Sequence, residues 1–130
     1  MKILLDTQIF LWYITNDKRL TKKRLEQIAA PANEIFISAA SIWECCIKQN
    51  IRKLNFPDEA AKYLKEQRQR HQFQALSIDE NCLKHLSLLP DIHNDPFDRI
   101  LISQAMELHL QLMTDDFLIK KYSSLNLKFL

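Results

Sequence analysis

The chain has 130 residues, of which 47% are hydrophobic and 26% charged, and a formal net charge of +2. That balance excludes a disordered or membrane-embedded polypeptide, and the length suits one ordinary domain that buries about two-thirds of its unfolded surface. The small net charge decides little about partners, because a local basic face can sit behind a balanced total.

Taken in order, Lys2 to Leu5 reads as a short apolar strand ending at Asp6, followed by a helical pattern over Thr7 to Tyr13. The apolar stretch Ile9 to Ile14 is too short to span a bilayer, and Asp6 interrupts the run a secretion signal needs. One domain over residues 1–130, cytoplasmic and away from the membrane, is the expectation. Thr21 to Ala30 is a second helix closed by Pro31, and Ile35 to Ile37 a second strand leading into a helix over Ala39 to Gln49. A helix over Asp58 to Arg70, a strand over Phe73 to Leu76 and a helix over Asp79 to Leu86 follow, with Pro57 and Pro90 marking loops. Pro96 to Leu108 is helical, and Leu110 to Met113 and Leu127 to Phe129 are the last strands. Alternating apolar strands and amphipathic helices predict a three-layer α/β fold with a mainly parallel sheet.

Some chemistry is disfavoured at once. There is no glycine, which removes every glycine-rich phosphate loop. Cys45, Cys46 and Cys82 form neither an even disulfide framework nor a metal-ligand spacing, and are expected as reduced core fillers. Lys18, Arg19, Lys22, Lys23 and Arg24, and later Lys62, Lys65 and Arg68, form basic stripes that suit either a phosphate backbone or a solvated helix face.

The acids carry more information, because ligands in a parallel sheet sit beyond the carboxyl ends of the strands. Asp6 follows the first strand, where it either caps the next helix or meets a cation. Glu44 lies in the helix after the second strand; capping-box spacing with Ser41 and an i,i+4 pair with Lys48, worth about 0.3 to 0.5 kcal/mol, are competing explanations. Asp95 before Pro96 reads as an N-cap, which puts Asp98 in the first turn, where it complements the helix dipole or faces a metal. Thr114, Asp115 and Asp116 follow the fourth strand and also suit a plain turn. Together these carboxylates would repel one another unless a divalent cation neutralised them. An oxygen-only donor set selects Mg²⁺ or Mn²⁺, ions that activate water for attack on a phosphodiester.

The segments Leu4-Leu5-Asp6-Thr7, Ser38 to Glu44, Asp95-Pro96-Phe97-Asp98-Arg99 with Ile102 to Ala105, and Thr114-Asp115-Asp116 resemble the ordered motifs of VapC-type PIN-domain toxins across nearly the whole chain. The resemblance implies a five-stranded parallel sheet in the order 3-2-1-4-5. It also implies Mg²⁺- or Mn²⁺-dependent endoribonuclease activity leaving 5′-phosphate and 3′-hydroxyl ends, a homodimer, and a small cognate antitoxin. Carried over by position, Asp6, Glu44 and Asp98 are the metal-binding catalytic acids. Asp116 is the fourth by the Thr-x-Asp spacing, with Asp115 as the alternative. Two departures stand out: Gln8 replaces a histidine common after Asp-Thr, and Arg52 replaces the glycine usual before Lys53-Leu54.

Several residues keep two readings. Thr7 and Ser41 orient carboxylates or cap helices; Arg99 holds a phosphate, pairs with a site acid or forms an exposed ion pair. Trp12 and Trp43 stack on bases or pack in the core or a dimer interface, and His93 is a loop residue without a catalytic partner in the sequence. The alternative functions are a non-catalytic RNA- or protein-binding module of the same fold, and a phosphoryl-transfer receiver. The latter is disfavoured because Asp6-Thr7-Gln8 lacks a second acid two residues on.

Overall fold

The computed structural model describes residues 1–92, 94–124 and 128–130. Strand β1 (Lys2–Leu5) pairs in parallel with β2 (Glu34–Ser38) on one side and β4 (Gln111–Met113) on the other. With β3 (Gln74–Leu76) and β5 (Lys128–Phe129) outside them, the sheet has the order β3-β2-β1-β4-β5, as expected.

Side chains alternate across a strand, so the central apolar run must be covered on both faces. Ile3 and Leu5 enter a core with Ile9, Phe10, Ile28, Ile37 and Leu64, on the side of α1 (Thr7–Ile14), α2 (Lys22–Ala29) and α4 (Ala60–Arg70). Leu4 enters a second core with Leu101, Ile102, Leu112, Ile119 and Tyr122, on the side of α6 (Pro96–Leu108) and α7 (Phe117–Lys120). Helix α3 (Ala39–Asn50) places Cys45 in the first core, and α5 (Glu80–Leu83) lies beside α6. These are the three layers the periodicity predicts.

The element ends shift for identifiable reasons. Strand β3 starts at Gln74 rather than Phe73 because the Phe73 N–H donates to Arg68 O (3.0 Å) at the end of α4, while the Arg68 guanidinium donates to Phe73 O (2.9 Å). Strand β4 starts at Gln111 because the Leu110 N–H closes α6 on Ala105 O (3.0 Å). Helix α4 starts at Ala60, whose N–H donates to the Gln49 side chain (2.8 Å), and not at Asp58. The expected helix over Asp79 to Leu86 breaks into α5 and a 3-10 turn at Leu86–Leu88, built on short-range bonds such as Leu88 N to His85 O (3.1 Å) ahead of Pro90. Helix α7 and the 3-10 turn Lys121–Ser124 were not expected; segments of four residues carry no readable period. His93 and Leu127 lie outside the described residues.

Without glycine, four of the described residues adopt positive φ where helices stop: Asn16 (52°), Arg52 (60°), Gln72 (60°) and His109 (54°). A left-handed residue after the last turn lets the following N–H groups satisfy orphan carbonyls, as Arg52 N does to Gln49 O (3.1 Å) and Lys53 N to Lys48 O (2.8 Å).

Candidate metal centre

Because the strands are parallel, the β1, β2 and β4 carboxyl ends open on one edge, and a cavity of about 360 Å³ lies there. Asp6, Glu44, Asp95, Asp98, Asp115 and Asp116 all line it, with Lys48 the cation among its described lining residues.

Asp6 is buried, and of the two roles that the sequence left open its contacts show the helix cap. Its Oδ1 caps α1 by accepting from Ile9 N (2.7 Å), and its Oδ2 accepts from the Thr114 hydroxyl. Burial outweighs these hydrogen bonds and, with the nearby Asp116 and Asp115 charges, pushes its pKa up to about 6.

Glu44 is also buried. Its Oε1 accepts from Thr7 Oγ1 (2.7 Å), which lies 2.9 Å from Ser41 Oγ, and its Oε2 accepts from Lys48 Nζ (2.7 Å). The i,i+4 pair therefore forms. The capping box does not: Ser38 caps α3 by accepting from Ala40 N (3.0 Å), while Ser41 is buried one turn later, facing α1. Thr7 hydrogen-bonds the carboxylate with Ser41 beside it, while Asp6 and Ser38 supply the caps of α1 and α3.

Asp95 caps α6, accepting from Phe97 N (2.9 Å) and Asp98 N (3.1 Å), with Pro96 in the first position. Asp98 follows one turn in, and burial, then the charges of Asp95, Asp116, Glu44 and Asp6, push its pKa up to about 8. Asp116 N donates to Thr114 Oγ1 (2.9 Å), and Asp116 Oδ1 caps α7 through Leu118 N (2.7 Å) and Ile119 N (3.3 Å). Asp115 is ion-paired with Arg24.

Tertiary contacts place the other residues that the sequence singled out. Arg99 does not line the acidic cavity; it donates to Pro90 O (3.2 Å), Leu86 O (3.3 Å) and the Tyr122 hydroxyl (3.2 Å) and borders a separate cavity of about 430 Å³. Trp43 is 52% exposed rather than in the core, because Ile42, Cys45 and Cys46 occupy the inward face of α3. It meets Phe97 edge-on, with ring centroids 5.0 Å apart. Trp12 does line the cavity, and the Arg19 guanidinium sits 5.1 Å above its ring. Arg24 turns inward instead of joining an exposed basic stripe, Lys62 pairs with Asp58 (3.2 Å), and the three cysteines are free thiols.

The sequence named Lys48 only as the i,i+4 partner of Glu44 and Gln8 only as a departure from the motif, and it missed Arg24 as part of this neighbourhood. No local pattern pointed to Arg24.

Among the described residues, no three acids, histidines or cysteines stand close enough to hold an ion outright. The donor set nevertheless fits a hard, largely hydrated cation, because Mg²⁺ keeps several waters and needs only one or two direct carboxylates. Burial first, and then the neighbouring carboxylates, raises the Asp6 and Asp98 pKa values.

An α/β fold whose parallel sheet delivers acids from several elements to one cavity at its carboxyl edge is the class defined here. The sequence matches the model of the PIN domain family over residues 3–125, and the chain belongs to that family. Members of the family are generally nucleases that use divalent metal ions. Among solved structures, the chain is similar to VapBC2 from Rickettsia felis bound to a DNA fragment from its promoter, with TM-score 0.73 and 19% identity over 100% of this chain and 98% of that one. It is also similar to VapBC-1 from nontypeable Haemophilus influenzae (TM-score 0.72, 15% identity, 100% and 97% covered) and to FitAB bound to an IR36 DNA fragment (0.67, 11%, 98% and 93%). Identities this low show a shared fold. No curated protein matches the sequence. Among the described residues, no helix is long and apolar enough to cross a membrane.

Proposed function

We propose that this chain is a Mg²⁺-dependent endoribonuclease of the VapC type, the toxin of a type II toxin–antitoxin pair. The observation that carries the reading is the convergence of Asp6, Glu44, Asp98 and Asp116 on one cavity from four separate parts of the chain. Those four would hold the ion, and Mn²⁺ would serve in its place. When bound, such an ion polarises the phosphodiester and activates water for in-line attack.

The chain's own residues do the rest. Thr7 and Ser41 orient Glu44, Thr114 orients Asp6, and Asp95 starts the helix that presents Asp98. Lys48, paired with Glu44, brings to the cavity wall a positive charge that suits a substrate phosphate. Products with 5′-phosphate and 3′-hydroxyl ends, a homodimer, a protein antitoxin and a cytoplasmic location belong to the same proposal. Support for the antitoxin comes from neighbours that were themselves solved as VapBC and FitAB.

The test is Asp6→Asn, a near-isosteric change that removes the charge. Mg²⁺-dependent RNA cleavage and growth inhibition are expected to vanish with the fold intact by circular dichroism; cleavage at the wild-type rate would defeat the assignment. The second reading is a PIN-like module that binds RNA or protein without cutting it; among the described residues, no three acids stand within direct reach of one ion. RNA binding with no Mg²⁺-stimulated turnover would select that module.

A further inference from the structure

Arg24 is out of character for its position. It sits on α2, in a sequence cluster that otherwise reads as a solvated face, yet its side chain is only 14% exposed. Its guanidinium reaches across the molecule to the Asp115 carboxylate, to Thr114 O (3.0 Å) and to Leu130 O (3.4 Å). A planar fork of donors meets a carboxylate and a carbonyl at once, which an ammonium cannot reproduce. The segment it grips is the turn between β4 and α7. That turn is the source of the Thr114 hydroxyl, which donates to Asp6 and accepts from Asp116 N (2.9 Å).

We propose that Arg24 is a positioning residue of the metal centre: by holding Asp115 and the Thr114 carbonyl it sets the turn that brings Thr114 and Asp116 to Asp6. The proposal rests on the nuclease reading above. It also assigns the two adjacent acids, since Asp115 is neutralised by Arg24 and Asp116 is left for the ion. Partners of this outer kind typically govern metal affinity by about 10- to 100-fold.

The measurement is Mn²⁺ binding to metal-free protein by calorimetry, alongside RNA cleavage and melting in chelator. Arg24→Ala is expected to weaken Mn²⁺ binding by about tenfold or more and to lower kcat, with KM for RNA changed by less than about twofold. Arg24→Lys keeps the charge without the fork and is expected to recover only part of the loss. Because both act through one link, Arg24→Ala with Asp115→Ala should lose no more than the larger single change. Should Arg24→Ala fail to fold, Asp115→Ala cuts the same link from the other side and is expected to show the same weakened Mn²⁺ binding.

Wild-type Mn²⁺ affinity in Arg24→Ala, or in Asp115→Ala where only that variant folds, overturns the positioning role and leaves a cleaving wild type as a nuclease. A larger loss in Asp115→Ala than in Arg24→Ala, additive in the double variant, makes Asp115 a ligand and also overturns it. A wild type that neither binds Mn²⁺ nor cuts RNA removes the nuclease reading and this proposal together.

Discussion

Arg52 shows what a missing glycine means at a single position. Its φ of 60° lies in the left-handed region, where a Cβ crowds the backbone and glycine does not. The helix still ends there, because Lys53 N and Arg52 N satisfy the last carbonyls of α3, so replacing the usual glycine leaves the turn geometry in place. Arg52→Gly is expected to stabilise the protein by about 0.5 to 1 kcal/mol, while Arg52→Ala brings no such gain. Thermal melts of the two variants check this, and equal shifts would refute the backbone account. Asp6 makes the complementary point: its neighbours in sequence explain a cap, but its burial and its bond from Thr114 come from a residue far along the chain.

At the scale of one element, α6 is almost entirely readable. Asp95, Pro96 and the apolar period set its start and length, and the structure returns the expected bounds, Pro96–Leu108. Asp95 does two jobs, accepting two N–H groups and adding negative charge next to Asp98. Asp95→Ala is therefore expected to cost about 1 kcal/mol in chemical denaturation and to lower the Asp98 pKa, read by carbon-detected NMR titration. An unchanged Asp98 would mean that the Asp95 charge has no part in raising it, leaving burial and the other acids as the cause. Helix α7 is the opposite case: four residues long, it depends on Asp116 as a cap and on Ile119 filling the second core.

For the whole molecule, the crowded acids tie stability to pH. In metal-free protein the folded state raises Asp6 to about 6 and Asp98 to about 8. A carboxyl raised by folding contributes stability that is complete below its unfolded pKa and is lost as pH climbs through its folded value. His71, lowered by burial, works in the other direction, but only below its ordinary value of 6.5. In EDTA the melting temperature is therefore expected to fall between pH 6.5 and 8, through Asp98, and Mg²⁺ is expected to restore more at pH 8 than at pH 6.5. A chelated protein that becomes more stable over that interval would contradict a raised Asp98 pKa.

The alternation of apolar strands with amphipathic helices determined the three-layer class, and capping chemistry determined where α1 and α6 begin, because both depend on contacts within a few residues. The acids at strand and helix ends were visible for the same reason. Only the tertiary structure decided that Ser38 rather than Ser41 caps α3, that Trp43 faces outward, that Arg99 stands off the acidic cavity and that Arg24 reaches Asp115. Those outcomes turn on which faces of distant elements meet, and no local propensity encodes a contact between residues some ninety positions apart, as Arg24 and Asp115 are.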